Sequence, residues 1–427
     1  MYRYVLFTLP VLCSIGSGAL AQDDAMRLTR QTAVQLALEH NPEILAAQQI
    51  WEASKARIIQ ARSLPDPELE LEFEELPGVT RTGDFGERSF GATQTIESPL
   101  KWWRRSQTAV HTAEATRFAE VEMTRLDIRS RVKTAYDRIL FEDKRLEYMT
   151  QHVQLAQDFL KKARQRLEAG DVPQLEVLRA EVEAGRAENR LTKVRNDLSL
   201  AKATLNTLLA RPSQAHLEVN GELDYRPIEV QLEDLTRLAT KHRPDLLGAD
   251  RAIESSRATH GLARAALLPD LSVGVFRQNI RGPDGDGDFW RMSFALDFPL
   301  WGAAQQRGQL SETRAGVKQA LAEKDGIRNL IMLQIESAFG EVKTAGKQVE
   351  LFQERILREA DRGFEVANRS YTEGKATYLE LLAAQQALIE VREEYASALF
   401  GYRSALYELE RASGGPLQSI QAIQEEH

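Results

Sequence analysis

The chain has 427 residues and a formal net charge of −8; 28% of its residues are charged and 43% are hydrophobic. The acidic balance argues against a protein that binds nucleic acid backbones, and the hydrophobic content argues against wholesale disorder. Beyond residue 21 no apolar run approaches the roughly 18 residues of a transmembrane helix, which excludes helical membrane spans.

Residues 1–21 have the composition of a secretory signal peptide. They contain one charge at Arg3, a short apolar stretch and the small-x-small cleavage site Ala19-Leu20-Ala21. Cys13 is the only cysteine of the chain, and the bulky Leu12 before it disfavours lipoprotein processing. We therefore expect cleavage rather than lipidation. The mature chain then has no cysteine and depends on packing or oligomerisation instead of disulfides.

The remaining sequence contains two copies of one unit. The first copy covers residues 22–220 and the second covers residues 221–427. His40-Asn41-Pro42 is echoed by His242-Arg243-Pro244, and Leu64-Pro65-Asp66 by Leu268-Pro269-Asp270. Each copy reads as helix, strand, strand, long helix and returning helix. The nearly constant offset of 202 and 204 residues indicates a duplicated structural unit rather than several unrelated domains.

In chain order, the first copy predicts a helix over about 29–63, strands over about 67–76 and 88–98, a helix over about 104–168 and a returning helix to about 210. The second copy predicts strands over about 270–279 and 289–298. The long and returning helices are joined by tight turns at Gly170–Pro173 and Gly374–Thr377. Glycine accepts the left-handed conformation that ends a helix, and proline suits the start of the next.

Both returning helices carry an apolar stripe with alternating steps of three and four residues. In the first copy it is Val177, Ala180, Ala184, Ala187, Leu191, Val194, Leu198, Ala201, Leu205 and Leu208, and in the second Leu381, Ala384, Leu388, Val391, Tyr395, Ala398, Tyr402, Ala405 and Leu409. The stripes predict an antiparallel coiled-coil core rather than ligand sites. Because many positions are Ala, we expect neighbours on more than one side. Helices of this length, roughly 100 Å, predict a long cylinder wall.

The strands have the alternation of a barrel wall. Residues Glu68 to Glu74 alternate acidic and apolar side chains, and about ten residues suffice to cross a bilayer when the strand is tilted. Four of the five tryptophans flank the strand pairs, as in an interfacial girdle, namely Trp102, Trp103, Trp290 and Trp301. The alternative is a water-soluble sheet with one apolar face. Four strands leave open edges that lipid does not tolerate, so closure needs two copies with a filled interior or three with a channel.

The order and spacing of these features resemble the outer-membrane efflux proteins, the TolC-like channels of Gram-negative bacteria. The resemblance implies a mainly α chain with a transmembrane β-barrel, in which a homotrimer closes twelve strands in outer-membrane lipid above an α-helical periplasmic tunnel. It implies the exit duct of a tripartite pump, with a periplasmic adaptor and an inner-membrane transporter of the RND type as partners. The compact chain looks most like the branch of the cobalt-zinc-cadmium pumps, so heavy-metal cations are the expected cargo. Drug efflux and type I protein secretion are the alternatives.

The resemblance also implies functional positions. The two turns become periplasmic tips that contact the adaptor, with Gly170, Asp171, Val172, Pro173, Gly374, Lys375 and Thr377. Candidates for an entrance gate are Asp361, Glu365, Arg369 and Tyr371, although ordinary solvated helix faces are the alternative. We expect Glu68, Glu70, Glu72 and Glu74 to line the pore and favour cations, because the intervening apolar residues would face lipid.

Catalytic patterns are absent from the sequence. It contains no HExxH, GxSxG, Walker A or dinucleotide-binding glycine motif, and the seven histidines show no metal-ligand spacing. The acidic loop around Gly285 lacks the glycine and the final glutamate of a calcium loop. We therefore expect no enzyme activity, no cofactor, no metal site and no nucleic acid partner. A soluble periplasmic coiled-coil scaffold or adaptor is the rival class, but it leaves the tryptophan-flanked strands unexplained.

Overall fold

The computed structural model describes residues 27–417, apart from positions 77, 79, 81, 83, 84, 282–284 and 298–302. The predicted signal peptide, which includes Cys13, and the predicted interfacial residue Trp301 lie outside the described residues.

The first half of the chain contains β1 (Arg27–Leu28), α1 (Arg30–His40), α2 (Pro42–Arg62), β2 (Glu68–Glu74), β3 (Glu87–Ile96), α3 (Pro99–Thr116), α4 (Met123–Glu168) and α5 (Gln174–Leu208). The first half ends with β4 (Glu218–Val219), and the second half contains α6 (Leu232–His242), α7 (Pro244–Ala265), β5 (Asp270–Ile280), β6 (Gly287–Asp297), α8 (Ala303–Leu351), α9 (Leu357–Thr372) and α10 (Tyr378–Ser413). Short π-helical segments, Arg117–Glu122 and Phe352–Ile356, join α3 to α4 and α8 to α9.

Pro42 and Pro244 are the first residues of α2 and α7, the helices that lead to the sheet. The Asn41 side chain accepts a hydrogen bond from the Glu43 backbone N–H at 2.8 Å, and Pro42 is the first residue of α2. Proline has no backbone N–H to donate, so it suits the first turn of a helix and interrupts one already under way. The single helix predicted over about 29–63 is therefore two helices, and Arg243-Pro244 divides α6 from α7 in the same way.

The helices pack side by side as a wall. Near the sheet the neighbours follow the order α2, α3, α7, α8, and near the two tight turns the order is α5, α4, α10, α9. The helical run Pro99–Glu168 is about 105 Å long at 1.5 Å per residue. The chain thus places each tight turn far from the strands, at the opposite end of the wall.

The predicted stripe of α5 is buried along its whole length, from Val177 to Leu208. The predicted stripe of α10 is only partly buried. Because α10 contacts α4 on one side and α8 on the other, its buried residues are spread over two faces instead of one stripe. Ile389, which the single stripe omitted, packs in the cluster with Met149 of α4, and Tyr402 packs in the cluster with Ile335 of α8. Neighbours on two sides thus compensate for a stripe made largely of alanine.

The four long strands form one antiparallel sheet in the order β2-β3-β5-β6. The hairpins of the two halves are joined by the pairing of β3 with β5, from Glu87 opposite Ile280 to Ile96 opposite Leu271. β2 and β6 are the two edge strands and have no partner on their outer sides among the described residues. No helix in the described part of the chain combines the length and the apolar character needed to cross a membrane.

Candidate functional site

One face of the sheet is exposed and mainly apolar, with the charged residues Arg88, Arg277 and Asp288 near its loop end. Residues paired across neighbouring strands share a face, as Leu71, Phe90, Arg277 and Trp290 do in one row. The exposed apolar side chains on this face are Leu69, Leu71, Phe90, Ile96, Val275, Trp290, Met292, Phe294 and Leu296. Leu69 and Trp290 are 74% and 75% exposed. A contiguous apolar surface of this kind marks a contact with a membrane or with another protein.

The opposite face is mainly polar, with the apolar Phe289 and Ile280 near its loop end. It carries the four predicted acids, Glu68, Glu70, Glu72 and Glu74, all of them exposed. The neighbouring strands add uncharged polar groups to it, among them Ser89, Thr93, Thr95, Ser272 and Gln278. Sequence alternation therefore placed the acids on the correct side relative to Leu69 and Leu71. The four glutamates form a row of carboxylates along β2, which is one of the two edge strands.

Three of the predicted interfacial tryptophans are described, and they lie at two levels of the sheet. Trp102 and Trp103 lie in the first turn of α3, where the strands meet the helices, and the Trp102 indole N–H donates to the Arg62 carbonyl at 2.9 Å. Trp290 lies on the apolar face near the loop end of β6. Tryptophan suits a boundary between apolar and aqueous surroundings, because the ring is apolar and its N–H needs a partner.

The first tight turn closes with helix-capping hydrogen bonds. Gly170 has a φ of +79°, and its N–H donates to the Leu167 carbonyl at 3.0 Å. The Asp171 N–H donates to the Arg166 carbonyl at 2.9 Å. Val172 is buried, and Pro173 leads into α5 as its N-cap residue. This geometry makes the turn compact and leaves Asp171 exposed at the end of the wall.

The second tight turn has a stronger helix start. Gly374 has a φ of +73°, and the Lys375 N–H donates to the Ser370 carbonyl at 2.8 Å. Thr377 and Glu380 form a capping box, in which the Thr377 N–H donates to the Glu380 carboxylate at 2.7 Å. These hydrogen bonds to Thr377 lower the pKa of Glu380. The Lys375 side chain is exposed beside Glu373, and the salt bridge between them is 2.7 Å long.

Tyr371 links the two halves of the chain near these turns. Its hydroxyl donates to the carboxylate of Glu176 on α5 at 2.9 Å. Arg166 of α4 lies 3.9 Å from the same carboxylate, and its guanidinium is 5.4 Å from the centre of the Tyr371 ring. Burial and the adjacent Glu176 raise the pKa of Tyr371, so the hydroxyl remains a donor at neutral pH. The contact ties α9 to the α4–α5 hairpin.

The other three gate candidates are one residue that restrains α9 and two that are exposed. The Asp361 carboxylate accepts a hydrogen bond from Arg392 on α10 at 2.8 Å, which holds α9 against its own hairpin partner. Glu365 and Arg369 are exposed. The structure thus brings Asp361 and Tyr371 into contacts that restrain α9, and it leaves Glu365 and Arg369 on the surface.

Sequence reasoning missed several buried charged residues in the wall. Asp137 is fully buried and accepts hydrogen bonds from Arg30, Arg403 and Tyr407. His152 is also buried, with its Nε2 atom 3.5 Å from the Glu183 carboxylate. The available signal was a charged residue at a position where the helical pattern expects an apolar one. Among the described residues, no group of three or more His, Cys, Asp or Glu side chains could hold a metal ion.

Comparison with known proteins identifies the family. A model of the outer membrane efflux protein family matches residues 33–211 and 235–415. The cobalt-zinc-cadmium resistance protein CzcC of Cupriavidus metallidurans is 25% identical over 394 residues, which cover 91% of this chain and 90% of that protein. The solved structure of CusC has a TM-score of 0.74 at 17% identity and covers 97% of this chain and 99% of that chain. VceC from Vibrio cholerae has a TM-score of 0.73 at 19% identity, covering 91% and 96%.

These matches confirm the predicted fold class, a mainly α chain with four long strands, for the single chain. The CusC structure is described in terms of transmembrane channel formation, and VceC is described as an outer membrane protein. The family match includes most of both halves, and the sheet and wall have the arrangement that the resemblance implied. The chain therefore belongs to the outer membrane efflux protein family.

Proposed function

We propose that three copies of this chain form a channel across the outer membrane that serves as the exit duct of a tripartite efflux system. The sheet carries the proposal: it has an apolar face, a carboxylate-bearing face and two unpaired edge strands. In lipid each unpaired backbone group costs several kcal/mol, so the edges must pair. Three copies give twelve strands and room for a channel, whereas two give eight strands and a filled interior.

In this assembly the apolar face contacts outer-membrane lipid and the helices form a tunnel into the periplasm. Residues 1–21 act as the export signal and are removed. The tight turns are then the periplasmic tips that contact an adaptor protein, through Gly170, Asp171, Val172, Pro173, Gly374, Lys375 and Thr377. An inner-membrane transporter of the RND type supplies the cargo. Both turns expose small or polar groups at the far end of the wall, which supports a contact with a partner there.

The entrance is gated by the contacts that restrain α9. The hydrogen bond from Tyr371 to Glu176 and the ion pair of Asp361 with Arg392 hold α9 inward, next to both hairpins. Glu365 and Arg369, exposed on the same helix, contribute charge at the entrance. Release of α9 from the α4–α5 hairpin widens the tunnel.

The proposed cargo is heavy-metal cations. The support is twofold: CzcC is a cobalt-zinc-cadmium resistance protein, and the sheet of this chain carries Glu68, Glu70, Glu72 and Glu74 on its polar face. Three copies place twelve such carboxylates around one pore. Carboxylates in a confined aqueous pore concentrate cations and repel anions.

The test is a reversal-potential measurement on the purified protein in planar bilayers under a salt gradient. The expected result is cation preference, weakened in a Glu70→Gln, Glu72→Gln double variant. Glu233→Gln, which removes an exposed carboxylate from α6 away from the sheet, serves as the matched control and leaves the preference unchanged. An anion preference of the unmodified channel would overturn the role given to the acids, and a protein that conducts nothing would overturn the channel.

A further inference from the structure

The two edge strands differ in charge on the polar face. β2 presents its four glutamates there, from Glu68 to Glu74. β6 presents Arg291, the one cation among the described residues of the four strands on this face, together with one acid, Asp297, at its other end. No carboxylate of the described chain lies within ion-pair distance of Arg291. One copy therefore carries an unpaired cation at one edge of its sheet and a row of acids at the other.

Arg291 is held by a platform of three residues. Its guanidinium carbon lies 4.7 Å from the centre of the Phe276 ring, and Phe276 is only 4% exposed. The ring lies close to Gly91 and Gly274, where an added Cβ would come within 2.4 Å and 2.6 Å of ring atoms. Glycine in a strand interior often marks such a close approach. The two glycines accept the ring, and the ring holds the guanidinium on the β5 side of β6, so a pair across the free edge requires the arginine side chain to turn outward.

We infer that Arg291 forms an ion pair with Glu74 of the partner subunit across the seam between β6 and β2, and that this pair sets the register of the assembled sheet. The inference rests on the proposed assembly of three copies. The proposed partner of each exposed edge strand is a second copy of this chain, because the two edges carry complementary charges. In this arrangement the copies join head to tail, with β6 of each next to β2 of another.

The register follows from where the two edge strands meet the helices. At that side of the sheet β2 begins at Glu68, and β5 begins at Asp270, which pairs with Asp297 of β6. When Asp297 and Glu68 of the partner subunit are level, antiparallel pairing places them opposite each other, so this one row opposes two exposed carboxylates. Six residues further along both strands, it places Arg291 opposite Glu74 of the partner subunit. Directly opposed residues of opposite charge stabilise a strand pair.

The same register also matches the apolar face. It places Leu296, Phe294 and Met292 opposite the partner's Leu69, the partner's Leu71 and the partner's Phe73, so apolar residues meet in every row. The symmetric alternative, in which β2 pairs antiparallel with a second β2, would oppose glutamates in every row of the polar face, whereas the proposed register opposes acids in one row only. Like charges directly opposite each other destabilise a strand pair. The edges therefore favour a ring over a two-fold dimer.

The test uses cysteine pairs, because the mature chain has no cysteine of its own if residues 1–21 are removed. The variant R291C/E74C should form disulfide-linked dimers and trimers in isolated outer membranes under mild oxidation. The control variant R291C/E68C places its second cysteine six residues away, about 20 Å along a strand. A disulfide joins Cα atoms up to about 7 Å apart, so the control should remain unlinked. Cross-linking of the control but not of R291C/E74C would overturn the register.

Charge reversal gives an independent readout. R291E and E74R alone should each lower the temperature at which the trimer dissociates on a semi-native gel, and the double variant R291E/E74R should recover most of the loss. Additive losses in the double variant would overturn the pairing while leaving the assembly intact. If no cysteine pair cross-links and the unmodified protein is monomeric in detergent, the proposed trimer itself fails.

Discussion

The buried carboxylate of Asp137 offers the sharpest stability prediction. One of its oxygens accepts from Arg30 at 2.6 Å and 2.8 Å, and the other accepts from Tyr407 at 2.6 Å and from Arg403 at 3.2 Å. Asp137→Asn keeps the shape but turns an acceptor into an NH2 donor, which must face donors on one of the two sides. Removing one partner of a buried ion pair costs about 3–5 kcal/mol. We expect a loss of that order in the free energy of unfolding.

The matched control is Glu43→Gln. Glu43 pairs with Arg131 at 2.8 Å, but the two side chains are 55% and 51% exposed. An exposed pair contributes about 0–1 kcal/mol. Urea unfolding of the purified protein in detergent, followed by far-ultraviolet circular dichroism, gives both values. Equal losses for Asp137→Asn and Glu43→Gln would refute the reasoning, because burial would then make no difference to the pair.

Three further predictions concern the periplasmic half. Tyr371→Phe, which removes only the hydroxyl bound to Glu176, should raise single-channel conductance in planar bilayers, whereas Tyr148→Phe should leave it unchanged; equal effects would contradict the gate. Burial and, to a smaller extent, Arg190 lower the pKa of His152 from 6.5 to about 4, so its contribution to stability is complete above pH 6.5 and is lost as the pH falls towards 4. His152→Phe should flatten the unfolding temperature over that range, and an unchanged pH profile would exclude His152 as the cause. Gly374→Ala should destabilise the second turn by about 1 kcal/mol, because Gly374 has a positive φ. The loss should be measured as faster hydrogen exchange in α9. The control Gly363→Ala lies inside α9 with open space around it and should slow the exchange instead.

Local patterns predicted the parts of the fold that depend on neighbours along the chain. The alternation from Glu68 to Glu74 separated the two faces of the sheet, and the stripe on α5 identified a helix face that is buried throughout. Gly170 and Gly374 marked both turns, because their positive φ angles are a local requirement. These features follow from side-chain direction and backbone sterics, which a short window of sequence contains.

Contacts between distant segments were not predictable in this way. Arg30, Asp137 and Tyr407 come from three separate helices, and no periodicity in any one helix announces that they meet. The same holds for Tyr371 and Glu176, which are 195 positions apart. The π-helical segment Phe352–Ile356 was missed because its residues are ordinary helix formers, and its position has no equivalent interruption in α4. Tertiary packing, rather than local propensity, determines these features.

The central claim is that copies of this chain complete one another's sheet in the membrane. The most direct measurement is the mass of the detergent-solubilised mature protein, obtained by native mass spectrometry, on the same sample that is tested for conductance in planar bilayers. The account predicts a particle of three chains that opens water-filled channels. A monomer that stays soluble without detergent and conducts no ions would contradict it.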